Sequence, residues 1–366
     1  MSGSQSESKV TVRVNAADSL TEVFLVDSRF EKIAAGVGSV EAAVAPGLYK
    51  ARFRVGQVQS DNLIEVPAGA PVKVFDGLAV QFSSPVPLSQ TMMWQQEHGV
   101  AAQELSRSVP LKKGSGSQFF LFLRGMTEAA CQPWLGVSLH DLDGTLLAEA
   151  EEGVCDAKSR CCGLHLELDP GTYRLRVEEE PDEIYEMFVL MLAGWQTQIF
   201  AVAEDGWLPG VQLVRAALPE AAVLMSEIGK GFNPASPAAR QTEQLRLGLL
   251  HGRKVLCQTG LQNLLAAQPL NPMNVLYAAG LVQETDDAAE LARHLDSILA
   301  DLPDMQLLLP GTAKQFALPP LLRKSWQLLM DAVSKEKTGI PPGSLNEQIQ
   351  QGAALNTALW LMHRLG

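Results

Sequence analysis

An internal repeat does most to limit what this chain can fold into. Residues Val40–Val55 read VEAAVAPGLYKARFRV, and residues Leu164–Val177 read LHLELDPGTYRLRV. In each, an alternating segment reaches Pro-Gly, one further residue, a tyrosine and a basic residue, and then alternation resumes. The repeat pairs Pro46 with Pro170, Gly47 with Gly171, Tyr49 with Tyr173, Lys50 with Arg174 and Arg52 with Arg176. Upstream, LVDSRFEKIAA (Leu25–Ala35) aligns with LHDLDGTLLAE (Leu139–Glu149). Downstream, VKVF (Val72–Phe75) sits opposite TQIF (Thr197–Phe200). Between Ala34/Ala148 and Pro46/Pro170 the second copy is ten residues longer.

Alternation of period two, bounded by Gly, Pro and Asp, predicts half-buried antiparallel strands. Pro-Gly predicts a tight turn, with Pro fixing φ and Gly taking a positive φ. The tyrosine two residues later predicts a ring on the core and a hydroxyl at the rim. From Pro219 onward helical periodicity dominates. Ser236-Pro237 and Asn271-Pro272 place a capping side chain before a first-turn proline, and Ser344–Glu347 is a capping-box pattern. Helices are expected near 237–257, 272–283, 286–300, 320–334 and 344–352.

The expected fold class is therefore multidomain, β then α: two tandem antiparallel β-sandwich modules followed by an irregular α-helical bundle. The expected bounds are a disordered tail (1–8), module 1 (9–83), a helical and flexible linker (84–117), module 2 (118–215) and a helical domain (216–366). The linker ends in Lys112–Ser117 (KKGSGS), and module 2 includes a cysteine-containing insertion over 149–163. Both stretches are expected to be accessible to proteolysis.

The Pro-Gly-x-Tyr turn with its flanking strands resembles the short bacterial sandwich modules of the PEGA or transthyretin-like kind. The segments FNPASPAARQTEQLRLGLLHGRKVL (Phe232–Leu256), NPMNVLYAAGLV (Asn271–Val282), PPLLRKSWQLLMDA (Pro319–Ala332) and IPPGSL (Ile340–Leu345) resemble an uncharacterised bacterial module. That module accompanies caspase-like or trypsin-like peptidases in bacterial conflict loci. The resemblance carries no catalytic motif and implies a partner-binding or regulatory role.

The formal net charge of −12 disfavours nucleic acid as a general partner. The charge is unevenly placed. Residues 116–215 hold 17 acidic and 6 basic residues, a net of −11, whereas residues 1–115 are balanced at 11 and 11. No apolar run approaches the roughly 18 residues of a membrane span. The polar N-terminus has no apolar h-region, and the five cysteines are an odd number, so a reducing cytoplasmic setting is expected.

Three constellations could carry chemistry. Asp141-Leu142-Asp143-Gly144-Thr145 resembles the first motif of haloacid-dehalogenase-like phosphatases, which implies Asp141 as nucleophile and Asp143 as acid/base with Mg²⁺. The repeat sets this segment against Asp27–Glu31, and Asp-Gly is a hairpin signal, so a structural turn is the preferred reading. Cys155, Cys161, Cys162 and His165 offer thiolate and imidazole ligands, but Cys-x₅-Cys-Cys is not zinc spacing. Ordinary thiols are expected there, with a redox-active loop or a metal site as alternatives. The run Glu178, Glu179, Glu180, Asp182, Glu183 is either a solvated hairpin tip or an acidic docking patch.

The expected function is a non-enzymatic interaction, adaptor or regulatory protein without a cofactor. Its partner is expected to be a protein, for instance a caspase-like or trypsin-like peptidase of a defence locus that binds it or cuts it. The alternatives are a Mg²⁺-dependent phosphatase through Asp141 and Asp143, or a tandem sandwich that binds glycans.

Overall fold

The computed structural model describes residues 9–69, 71–80, 94–127, 130–180, 183–208, 211–282, 285–295, 299, 301–309, 316, 318–335, 338–352 and 359–365. Sheets dominate the chain up to Glu227, and helices dominate after it. The sheets are open, with no barrel among the described residues. The tail expected over 1–8 and the linker residues 84–93 lie outside them. Two compact units result: Met1–Phe82 with Gln244–Leu270 and Leu281–Gln283, and Ser83–Glu243 with Asn271–Gly280 and Glu284–Gly366.

In the first unit, strands β1 (Val10–Asn15), β4 (Ser39–Val44) and β7 (Val72–Asp76) form a sheet of order β4-β1-β7. Strands β2 (Glu22–Val26), β3 (Lys32–Val37), β5 (Gly47–Val55) and β6 (Val58–Val66) form a second of order β3-β2-β5-β6. Alternation buries Val10, Val12 and Val14 from one sheet with Leu25, Phe53 and Ile64 from the other in a single core. Helix α2 (Pro237–Leu250) adds Leu247 to that core, and Gln244 Nε2 donates to Asp18 Oδ1 at 3.0 Å.

The same strand order is written again in the second unit. Strands β13 (Cys161–Leu168), β9 (Ser117–Gly125) and β16 (Trp195–Leu208) run in the order β13-β9-β16. Strands β11 (Leu146–Glu149), β10 (Val137–His140), β14 (Gly171–Glu180) and β15 (Glu183–Met191) run in the order β11-β10-β14-β15. The hand of pairing is repeated too: β1 is antiparallel to β4 and parallel to β7, as β9 is antiparallel to β13 and parallel to β16.

The second unit adds to this plan. Helix α1 (Trp94–Leu105) lies on the outer face of the β9 sheet, where Ala102 joins Phe120, Phe122, Phe200 and Phe232 in a further apolar cluster. Strand β9 is thus covered on both faces, which explains its continuous apolar run FFLFL. The ten extra residues fall between β11 and β13 and form a short 3₁₀ turn (Ala150–Glu152) and strand β12 (Val154–Asp156).

Several expectations are corrected. Residues Ala222–Glu227 and Met362–Leu365, expected to be helical, are strands β18 and β19, because they pair with β16 and β15 respectively. The expected free linker at Lys112–Ser117 is tied down: β8 (Leu111–Lys112) pairs with β13, and the Lys113 N–H donates to the Glu167 carbonyl at 3.0 Å. The downstream alignment slips by one residue. Phe75 packs on the first unit's core, whereas Phe200 faces α1 across the β9 sheet, so Phe75 is the counterpart of Ile199. Pro46-Gly47 and Pro170-Gly171 lead directly into β5 and β14, and Gly171 takes no positive φ. The chain reversal is held instead by tyrosine. Tyr49 Oη donates to Ala45 O and Tyr173 Oη to Asp169 O, both at 2.8 Å.

The helix starts are where the caps predict them. Helix α4 (Pro272–Leu281) begins with Asn271 Oδ1 accepting the Met273 N–H at 3.0 Å, and helix α8 (Leu345–Gly352) begins with Ser344 Oγ accepting the Glu347 N–H at 3.4 Å. Between them lie α5 (Thr285–Arg293), α6 (Pro303–Leu308) and α7 (Arg323–Ser334), while the helix expected over 237–257 ends at Leu250 and a separate α3 (Gln258–Leu265) follows it. Fully buried Asp304 holds the start of α7, accepting the N–H groups of Leu321 at 2.7 Å and Leu322 at 3.0 Å.

Candidate functional site

A cluster of interacting polar side chains lies across one face of the second unit's sheet β11-β10-β14-β15-β19. Register places Ser138, Arg176, Glu186 and His363 side by side on four neighbouring strands. Glu186 is fully buried, and its carboxylate meets Arg176 Nε at 3.2 Å, Arg174 Nη1 at 3.5 Å and His363 Nδ1 at 3.0 Å. Burial works against the charge on Glu186, but the His363 hydrogen bond and the two guanidiniums outweigh it. The carboxyl is held below its ordinary range.

The first unit contains the same triad in a more open form. Lys50 Nζ and Arg52 Nε meet Asp61 at 3.1 and 2.8 Å, and Arg52 and Asp61 are register partners as Arg176 and Glu186 are. The pattern of two bases two residues apart is visible in the repeat. Which acid they hold is set by strand register, and the burial of the second triad depends on β19.

Beside the buried triad is a cleft of about 310 Å³ lined by Trp134, Ser138, His140, Glu149, Glu151, Arg176 and Glu178, among others. His140 Nε2 is 2.9 Å from Ser138 Oγ and its Nδ1 is 3.1 Å from Gly144 O. Burial, reinforced by the Arg176 charge, lowers the His140 pKa. A hydrogen bond to Glu151 and that residue's charge raise the pKa of Glu149. The cleft is thus bordered by carboxylates, while the charge of Arg176 is met by Glu186.

Asp141 is committed to a turn. Its Oδ1 accepts the Thr145 N–H at 2.8 Å, which lowers its pKa, and its N–H donates to Thr145 O at 3.0 Å. Asp27 makes the same pair of contacts to Glu31 at 2.9 and 3.0 Å. Asp143 lies in the same β10–β11 connection.

The cysteines depart from the expectation of ordinary thiols. Cys155 and Cys162 are directly opposite in the β12–β13 pair, with Cα atoms 4.0 Å apart, and they form a disulfide. Adjacent Cys161 points to the other face, into the cluster with Phe120 and Phe122, and burial pushes its thiol up to about 11. His165 is buried elsewhere in the sheet, with Nε2 3.0 Å from Gln196 Nε2 and Nδ1 3.5 Å from Ser108 Oγ. Among the described residues no group of three or more His, Cys, Asp and Glu side chains is placed to hold a metal ion.

The acidic run divides. Glu178 is exposed on the cleft, and Glu183 pairs with Arg364 of β19. The backbone of Glu179 and Glu180 belongs to β14, and Asp182 lies outside the described residues. Sequence reasoning missed Trp134, Ser138, His140, Glu186 and His363, which are gathered only by strand pairing.

Fold and site together define a β-rich protein with a C-terminal helical part and a polar cleft on its second strand set. No helix among the described residues is long and apolar enough to cross a membrane. No protein family matches the chain, and no curated protein matches it. Among solved structures, a match to the TIE protein of Bacillus anthracis has 10% identity and a TM-score of 0.20. It covers 51% of this chain, which spans 31% of that protein. A TM-score this low defines no common fold.

Proposed function

We propose that this chain is a non-enzymatic interaction or adaptor protein in which two transthyretin-like β-sandwich modules form a platform and the helical part docks a partner. The observation that carries this reading is the concentration of charge. The net −11 of residues 116–215 belongs to the strand set whose cleft is bordered by Glu149, Glu151 and Glu178. A surface of that kind attracts and orients a basic partner. The commitment of Asp141 to a backbone turn favours this reading over the phosphatase. The resemblance of the helical segments to a peptidase-associated module makes a caspase-like or trypsin-like peptidase the first partner to test.

Pull-down from the native host with the full chain as bait tests the reading, with Glu151→Lys and Glu178→Lys together as the comparison. A peptidase recovered by the natural chain and lost at least tenfold by the charge-reversed chain is the expected result. Recovery of no partner, or equal recovery by both baits, sinks it.

A further inference from the structure

The duplicated strand plan treats its outer edges unequally. In the second unit, β16 pairs with β9 on one side, and its other side is occupied by β18 along Trp195–Phe200 and β17 (Val211–Ala216) along Ala203–Leu208. Its counterpart in the first unit is β7. Lys73 and Thr197 each lie across from the residue, Val12 or Phe119, that pairs with the fourth position before the repeat proline, Ala42 or Leu166. Strand β7 pairs with β1, and no described residue pairs with its other edge.

That edge is built like an acceptor. It is five residues of VKVFD with no proline, and it leaves Val72 and Val74 50% and 49% exposed on one face. Open edges in natural sheets are usually blunted by proline, bulges or charged side chains pointing outward or inward, and of these β7 carries inward Lys73 and, at its end, Asp76. Here, Lys73 alternates to the core-facing side with Phe75, and Asp76 accepts from Asn15 Nδ2 at 2.8 Å. The corresponding positions of β16 are Gln196 and Gln198, whose partners on β18 are Ser226 and Leu224. Gln198 Nε2 donates to Ser226 Oγ at 2.8 Å, so the polar pair in the second unit is replaced by valines in the first.

We propose that the outer edge of β7 docks an extended segment of a protein partner, added antiparallel in the way β18 adds to β16. The segment carries aliphatic side chains two residues apart, opposite Val72 and Val74, because valine at both positions rewards apolar cross-strand neighbours and offers nothing to a polar one. It is uncharged at those positions. On the same sheet Arg13 and Glu41 already neutralise each other at 2.7 Å, and residues 1–115 have no net charge to steer a charged segment. The proposal rests on β7 and the duplication, and it is independent of the acidic cleft.

The probe is a fluorescein-labelled peptide with the sequence of Ala221–Ile228 carrying Ser226→Val, titrated into the full chain by anisotropy. Hydrogen-exchange mass spectrometry of 70–78 runs in parallel. Saturable binding, at least tenfold slower exchange of the β7 amides, and at least tenfold weaker binding by Val74→Lys are expected. Val74 is half-exposed, so the lysine folds; the unsubstituted sequence of 221–228 binds more weakly because serine faces a valine. Four results overturn the proposal: no binding; binding unchanged by Val74→Lys; β7 amides already protected in the free chain at low concentration; or a concentration-dependent dimer abolished by Val74→Lys. The last would mean that the edge belongs to a second copy.

Discussion

His363 Nδ1 lies 3.0 Å from Glu186 Oε1, joining a strand at the end of the chain to a carboxylate 177 residues earlier. That contact turns a surface ion triad, as seen at Lys50, Arg52 and Asp61, into a buried one. The two copies therefore allow the same interaction to be measured in two environments.

Glu186→Ala leaves buried Arg174 and partly buried Arg176 without their carboxylate and is expected to destabilise the second unit by about 3–5 kcal/mol. Asp61→Ala, in the open copy, is expected to cost at most about 1 kcal/mol. All six tryptophans lie outside residues 1–82, so urea unfolding followed by tryptophan emission reads the first variant. Hydrogen exchange of β5 and β6 reads the second. Equal losses would show that burial does not set the difference.

The depressed pKa of Glu186 has a pH signature. A carboxyl whose folded pKa lies below its unfolded value, about 4.3 for glutamate, contributes stability that is present above that value. The contribution is lost as pH falls through the folded pKa. Stability of the natural chain is expected to drop more steeply below pH 4.3 than that of Glu186→Gln. Parallel acid limbs in urea titrations at pH 3 to 7 would contradict this.

Tyr49→Phe and Tyr173→Phe each remove one hydroxyl-to-carbonyl bond and keep the ring. Each is expected to lower stability by about 0.5–1.5 kcal/mol, and by similar amounts, since both bonds are 2.8 Å and span four residues. A neutral result at both positions would mean that water replaces the bond without loss.

Gly144 has φ +87 in the Asp141 turn, and its counterpart in the first copy is Phe30 with φ +66. A Cβ at Gly144 would meet Arg176 Nη2 at 3.5 Å, an ordinary contact, so the penalty of Gly144→Ala is conformational, about 1–2 kcal/mol. Phe30 occupies this region while 75% exposed, with Lys50 Nζ 5.0 Å from its ring centroid. Phe30→Gly is expected to fold normally, and thermal melts of both variants check the pair.

Thiol labelling followed by mass spectrometry separates the cysteines. In the native, unreduced chain Cys131 is exposed and is expected to react at once, and buried Cys161 only on unfolding. Cys155 and Cys162 are expected to react only after reduction. Immediate labelling of Cys162 without reductant would contradict the pairing.

The amino-acid order alone determined the local events. Alternation around Pro-Gly-x-Tyr marks strands because one face of each is buried, and the Asp141 and Asp27 turns follow from a side chain that caps its own backbone. Helix starts at Asn271 and Ser344 are likewise local hydrogen bonds. Tertiary structure decided what depends on distant partners. Ala222–Glu227, a short apolar run whose periodicity suits helix or strand, became a strand because β16 offered a free edge. Met362–Leu365 became one through β15. Cys155 met Cys162 only once the β12–β13 register set them opposite each other. The repeat displayed Arg174 and Arg176, but the carboxylate that holds them, and its burial, required three further strands in register. Pairing energy between segments far apart in the chain leaves no periodic mark in either segment by itself.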